Sequence, residues 1–257
     1  MKNRLLKLLL FLTIIFSTGF SSVKAAENNL KNRNYIIFID INELTLSLVD
    51  SNTKEFVKKY PIAAGKPSTP SPIGQWQIIS KAKKNGPFGG FWLGLNAPWD
   101  TFGIHGTSDP SSIGSLASGG CIRMNNYNIQ EVFNLVDYDT RVIISAGPNW
   151  LFSPYARKIK PNDKGTDVFY VERALKNIGY YAPLPDGIYG YDLEVAIAKY
   201  RADANIPGDS TIDEKLLKGC QAHSTTILSS SDEKIFGKLA IDVTCDAEYP
   251  TESLFWN

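Results

Sequence analysis

Residues 35 to 50 constrain this chain more than any other stretch. Tyr35-Ile36-Ile37-Phe38-Ile39-Asp40-Ile41 is a run of β-branched and aromatic residues, and Leu44-Thr45-Leu46-Ser47-Leu48-Val49-Asp50 alternates apolar with polar. Successive side chains of a strand point to opposite faces, so two such runs around Asn42-Glu43 predict a β-hairpin. A turn at Ser51-Asn52-Thr53 and a further run from Phe56 to Ala64 extend the hairpin into an antiparallel meander.

The next segments keep the β character but interrupt it. Pro67, Pro70 and Pro72 make Gly65 to Gly74 a rigid loop. Trp76-Gln77-Ile78-Ile79 resumes a strand, and Lys81 to Asn96 mixes four glycines with Phe88, Phe91, Trp92 and Leu95, a composition that suits the wall of a cleft. Phe102-Gly103-Ile104-His105 reads as a short strand that ends on a histidine. Ile129, Val132, Phe133 and Val136 recur at the 3, 4, 7 spacing of a helix, with Asn125 or Asn126 as its cap. Thr140 to Ile144 is a closing strand. The periodicity then changes. Val168, Val171, Ala174, Leu175 and Ile178 form one helical stripe, Leu193, Ala196, Ile197 and Tyr200 a second, and Leu216 and Leu217 belong to a third short helix.

The division expected is a signal segment over 1–25, a catalytic domain over 34–147, a linker over 148–158, a small helical domain over 159–219, and an extension of unassigned structure over 220–257. Lys2, Arg4 and Lys7 precede an apolar run from Leu8 to Phe16, and Val23-Lys24-Ala25 offers small residues for cleavage. That is the pattern of an exported protein, with the membrane touched only through this segment before cleavage. The apolar run is shorter than the ~20 residues of a spanning helix.

A composition of 43% hydrophobic and 21% charged residues excludes a disordered chain. Removing 1–25 takes away four of the 27 bases and none of the 26 acids, leaving a net charge of −3, which argues against nucleic acid as a partner. Three cysteines in an exported chain suggest one disulfide, Cys220–Cys245, and one unpaired thiol, Cys121. An unpaired thiol is either a buried, inert side chain or a reactive one.

The neighbours of Cys121 favour reactivity. Ser118-Gly119-Gly120-Cys121-Ile122-Arg123-Met124 follows Ile104-His105-Gly106-Thr107 across a loop, so one of the two histidines and the lone mid-chain cysteine share a domain. A thiol nucleophile needs a base for its proton and backbone donors for the oxyanion it creates. His105 is the candidate base. Gly120 leaves room for backbone N–H groups, those of Gly120 and Cys121, to face an oxyanion. Arg123 either lowers the thiol pKa, grips a substrate carboxylate, or makes a structural ion pair. Zinc needs three or four ligands at workable spacing, and this domain offers one His and no Cys-x-x-Cys. No metal and no cofactor are expected.

His105-Gly106-Thr107 followed by Ser118-x-Gly-Cys121-x-Arg123 resembles the signature of the YkuD-type L,D-transpeptidases, over roughly Tyr35 to Ala146. The resemblance implies a mainly-β (α+β) sandwich with the cysteine at the mouth of a cleft. It makes Cys121 the nucleophile, His105 the base, Ser118 a partner of the imidazole, Gly120 and Cys121 the oxyanion donors, and Arg123 a support. Gly106, Thr107, Gly119 and Trp92 are the expected substrate contacts. Many members carry a second histidine at the position of Gly119; here His105 serves alone. Gly165 to Leu175, Gly179-Tyr180-Tyr181 and Asp186-Gly187-Ile188-Tyr189-Gly190 resemble a three-helix peptidoglycan-binding domain, with Glu172 where that family usually has Gln. This module is either a glycan binder, with Tyr180, Tyr181 and Tyr189 as stacking surfaces, or a structural cap.

Together these resemblances imply a monomeric, exported wall enzyme whose partners are peptidoglycan stem peptides and glycan. It would form 3→3 cross-links by cysteine acyl transfer from tetrapeptide stems. Two rivals stand beside it: an L,D-carboxypeptidase that trims tetrapeptides to tripeptides, and a non-catalytic wall-binding protein.

Overall fold

The computed structural model describes residues 34–147 and 157–223; the signal-like segment, most of the expected linker, and Cys245 with nearly all of the 220–257 extension lie outside the described residues. The opening meander forms as its periodicity predicts. Strands β1 (Tyr35–Asp40) and β2 (Thr45–Asp50) pair antiparallel with Ile37 opposite Leu48, and β3 (Phe56–Gly65) continues on β2. The proline-rich loop leads into β4 (Gly74–Ala82), followed by β5 (Trp92–Leu95), β6 (Phe102–His105), β7 (Leu116–Ser118) and β8 (Ile122–Met124). Helix α1 (Asn126–Leu135) and β9 (Arg141–Ser145) complete the first part.

The sheet order is β2-β1-β9-β4-β5-β6-β8-β3-β7, and β2 also pairs with β3. Eight strands therefore form a closed sheet with β7 attached outside on β3. The two layers of the expected sandwich are opposite walls of this one sheet. Closure satisfies backbone groups that an open sheet would leave at its edges. Inside lie Ile37, Leu48, Ile62, Trp76, Ile78, Leu93, Ile104, Ile122 and Met124, with Ile129 and Val132 of α1 against them.

Helices α2 (Thr166–Asn177), α3 (Tyr191–Asp203) and α4 (Glu214–His223) follow, each burying its expected stripe: Val168, Val171 and Leu175, then Leu193, Ile197 and Tyr200, then Leu216 and Leu217. Phe169 of α2 reaches across to the sheet, with ring centroids 5.7 Å from Trp76 and 5.6 Å from Trp99. The apolar core is continuous through this contact. Two of the three tyrosines expected to stack on sugar cannot do so as placed. Tyr181 and Tyr189 are buried in the module's own core, because aromatic rings flanking a turn between short helices fill space that those helices leave open. The apolar side chains exposed here are Leu184, Ile188, Tyr191 and Val195.

Glu172 on α2 is fully buried, at 0% exposure. Its Oε1 accepts from the Tyr181 hydroxyl at 3.1 Å, and its Oε2 from the N–H groups of Asp186 and Gly187 at 3.0 and 2.7 Å. These bonds clamp the turn that carries Gly187 against Trp99 of the sheet; a Cβ on Gly187 would lie 2.5 Å from the indole. Burial, with Asp186 adding to it, pushes the Glu172 carboxyl up to about 8 against the donors' pull. The folded state thus holds a proton that the unfolded chain has released once the pH passes about 4.3. Stability supplied by the protonated carboxyl is intact below that pH and falls as the pH rises toward 8. Glutamine keeps the bonding, since its carbonyl can accept both N–H groups and its amide can donate to Tyr181. Glu172→Gln should therefore flatten the decline in unfolding free energy between pH 5 and 8, whose slope in the parent chain approaches about 1.4 kcal/mol per pH unit at most. Urea titrations across that range check this; parallel slopes for the two chains would contradict it.

Candidate active site

The segment bearing Cys121 is held from two sides. From below, the proline-rich loop reaches β7: the Thr69 hydroxyl and the Lys66 N–H both donate to the Ser118 carbonyl, at 3.0 and 3.1 Å. From within the turn, the Ser118 hydroxyl donates to the Cys121 carbonyl at 2.6 Å and accepts from the Gly120 N–H at 3.0 Å. Gly120 sits at φ +121°, and a Cβ there would come within 2.6 Å of the Phe102 ring, so glycine meets both the left-handed backbone and the close approach. The turn delivers Cys121 immediately before β8.

Strand β8 runs parallel to β6, with Ile104 opposite Ile122 and His105 opposite Arg123. This pairing brings the histidine and the cysteine, sixteen residues apart in sequence, to one place. A cavity of about 360 Å³ has His105, Ser118, Gly119, Cys121, Arg123 and Thr107 in its wall. A Cβ on Gly119 would meet nothing within 4 Å. Gly106, Gly120 and Trp92 lie outside the lining.

His105 is buried, and its ring is fixed from three directions. Trp92 stacks on it with centroids 5.6 Å apart and planes at 22°, and Phe88 meets it edge-on at 5.1 Å. Nδ1 bonds the Gly106 carbonyl at 2.5 Å. A carbonyl oxygen only accepts, so Nδ1 carries the proton and Nε2 keeps its lone pair. The Gly106–Thr107 backbone is secured in turn by Asn126, whose Oδ1 accepts from the Thr107 N–H at 2.8 Å. A Cβ on Gly106 would lie 2.5 Å from that oxygen.

Burial pulls the His105 pKa below its ordinary value, with the charges of Arg123 and Lys84 adding to this and the bond to Gly106 opposing it. Burial raises the Cys121 thiol, as does the charge of Asp100, while a hydrogen bond from the Gly103 backbone and the charge of Arg123 pull it down. Each shift favours the uncharged form. The pair therefore rests as thiol and neutral imidazole, and the thiol lies 3.9 Å from the Thr101 carbonyl.

Several placements differ from the sequence reading. The Ser118 hydroxyl bonds the Cys121 turn, and the imidazole's partner is the Gly106 carbonyl. The Gly120 N–H is already bonded to Ser118, so its fit to an oxyanion is limited; the residue's distinctive feature is its tight packing on Phe102. Trp92, expected against substrate, is buried behind the imidazole, because its alternate position on β5 faces the neighbouring strand and opposes His105 directly. Asn125 caps α1 without a side-chain bond, and Asn126, expected as the alternative cap, holds Thr107. Asn126 and the Gly106 carbonyl are the contributors that sequence reasoning missed. A backbone acceptor leaves no side-chain signal, and a pair of asparagines at a helix start reads as capping.

The family model for the L,D-transpeptidase catalytic domain matches residues 34–144, and that for a peptidoglycan binding domain matches 164–218. A third model, the C-terminal part of DUF1846, a domain of unknown function, matches 202–255 and so overlaps the second. A UPF0371 protein of Clostridium tetani is 53% identical over 66 residues, 25% of this chain but only 13% of that protein. Among solved structures, the catalytic domain of the Enterococcus faecium L,D-transpeptidase is 22% identical with a TM-score of 0.38, covering 44% of this chain and 97% of that one. The L,D-transpeptidase YkuD of Bacillus licheniformis is 40% identical over 130 residues, 50% of this chain and 76% of that protein. With so large a share of that relative matched at this identity, the chain belongs to the YkuD-type L,D-transpeptidase family.

Proposed function

We propose that this protein is an exported L,D-transpeptidase that forms 3→3 cross-links in peptidoglycan through a Cys121 thioester. The observation that carries this reading is the shared cavity in which Cys121 lies with His105, whose Nδ1 is pinned so that Nε2 is the basic nitrogen. The thiol sulfur attacks the carbonyl of the diamino acid–D-Ala bond in a tetrapeptide stem as Nε2 takes its proton. Collapse breaks the C–N bond, the imidazolium returns the proton to the departing D-Ala amine, and a thioester remains. An amine from a second stem then displaces the sulfur, forming the new peptide bond and restoring the thiol. The energy comes from the bond broken, so the cycle closes without a cofactor.

Since the resting pair is neutral, the base acts during attack; no preformed thiolate is needed. Arg123 in the cavity wall supplies fixed positive charge where negative charge develops. Ser118 and Gly120 keep Cys121 presented, and Asn126 keeps the carbonyl that orients His105. Thr107 and Gly119, in the same wall, are the candidate contacts for the stems. In this reading the domain over 34–147 does the chemistry. The helical domain over 159–219 holds the glycan, by a surface other than Tyr181 and Tyr189.

The test uses purified tetrapeptide stems. Cross-linked dimers are expected from the parent chain. Trimmed tripeptides alone would mean that water resolves the thioester and would replace the transferase with the carboxypeptidase. Absence of any turnover, with normal glycan binding, would leave only a wall-binding protein. Cys121→Ala should abolish turnover, and His105→Ala should lower it by at least about a hundredfold.

A second measurement checks the neutral pair. Ultraviolet thiolate absorbance of Cys121, read as the difference from Cys121→Ala, should be absent at neutral pH and grow in only above the ordinary thiol range. The acid limb of the acylation rate should lie below pH 6.5, the ordinary histidine value, because a depressed imidazole stays basic as the pH falls. Thiolate absorbance at pH 7 would contradict the assignment.

A further inference from the structure

The connection between β5 and β6 lies between the helical module and the Cys121 turn. On one side Trp99 packs against Phe169 of α2, with Gly187 of the module against the same indole. On the other side Phe102 fills the space that Gly120 leaves, and the Thr101 carbonyl lies 3.9 Å from the Cys121 sulfur. Between them stands Asp100. Its Oδ1 accepts from the Thr101 N–H at 2.8 Å, and its Oδ2 is 2.8 Å from Nζ of Lys164, which belongs to the module. The Lys164 backbone is itself anchored by a bridge to Ile188 and by Arg157, which donates to its carbonyl at 2.8 Å.

We propose that Lys164 is a positioning residue for Cys121: the helical module reaches back through it to neutralise and orient Asp100 behind the nucleophile. The inference rests on the reading of Cys121 as the reactive thiol, though not on its substrate. The ion pair is half exposed on both sides and contributes little to stability. Its effect is on the local field. The charged and titratable groups around the sulfur are Arg123 on β8, His105 on β6, Asp109 in the cavity wall, and Asp100 on the connection. Of these, Asp100 is the anion whose charge acts on the thiol, and Lys164 is its direct partner. Losing Lys164 leaves that anion uncompensated and makes the thiolate harder to form. Asparagine at 100 keeps the bond to Thr101 while removing the charge.

The experiment measures alkylation of Cys121 by iodoacetamide in the full chain, resolved from the other cysteines by peptide mass spectrometry, as a function of pH. Lys164→Ala should shift the profile to higher pH and slow alkylation at neutral pH roughly two- to fivefold, the effect of an exposed pair. Lys164→Arg should restore it, and Asp100→Asn should shift the profile the other way. Lys164→Ala should change little on the Asp100→Asn background, and in ~1 M salt, where the Debye length is about 3 Å, the difference should collapse. A Lys164→Ala profile that superimposes on the parent would overturn the proposal. So would a loss that persists in high salt and on the Asp100→Asn background, since that is a packing effect. Alkylation reads the sulfur without peptidoglycan, so a chain that fails to turn over stems can still show the Lys164 effect, and the two readings fail separately.

Discussion

The site depends on one pairing, the parallel contact of β6 with β8. It is short, with two residue pairs in register, yet it places the end of the strand carrying His105 beside the start of the strand that follows Cys121. A parallel pair cannot be joined by a tight turn, so the chain must leave His105, cross the 106–120 loop, and return. The length of the connection follows from that requirement. Its two ends are then secured separately: the Gly106–Thr107 end by Asn126 from α1, and the Ser118 end by the proline-rich loop. Helix α1 starts two residues after β8, so the element that follows the cysteine also fixes the backbone that orients the histidine.

Burial decides the protonation of the pair. The imidazole sits between Trp92 and Phe88 and the thiol beside the backbone edge of Thr101 and Gly103, and burial is the first cause of both shifts. The positive charge of Arg123 acts on the two groups in opposing senses: lowering the thiol eases loss of its proton, while lowering the imidazole weakens it as a base. A stronger cation would give a thiolate but weaken the base further. A neutral thiol is less reactive, and it is also better protected from oxidation, since thiolate character governs susceptibility.

Local order was legible in the sequence, and contact across the sheet was not. The opening hairpin follows from its β-branched and alternating runs and α1 from the spacing of its apolar residues, although both strands of the hairpin are buried along almost their whole length. Strands β7 and β8 span three residues each, too few for alternation to register. Cys121, His105 and Arg123, singled out by residue type, are gathered by the fold into the wall of one cavity. The contacts of Ser118 and Trp92 differ from those expected, for different reasons. A serine hydroxyl can bond any group within reach, so its partner depends on the turn it occupies. An aromatic among glycines looks like a cleft wall until strand pairing sets which way it points. Glu172 shows the reverse case: a one-atom departure from Gln, visible in the sequence, becomes consequential only once the fold buries it.

The aromatic cluster of Trp76, Trp99, Phe102 and Phe169 joins the two parts of the chain in a way the sequence could not announce. Trp76 and Trp99 meet edge-to-face at 5.4 Å, Trp99 meets Phe102 at 5.7 Å, and Phe169 closes the group from the helical side. Three of the four rings belong to the sheet domain. A helix that supplies the fourth does more than lie alongside: the Phe169 ring packs on both indoles. Burial of a phenylalanine is worth about 1.5–3 kcal/mol, a large fraction of what holds a small domain together. The module's hold on the sheet is thus set by an apolar contact whose next ring, Phe102, touches the glycine beside Cys121. The module and the turn that carries Cys121 share one apolar cluster, so a shift of α2 on this contact would be felt at Phe102 and at the glycine that packs on it.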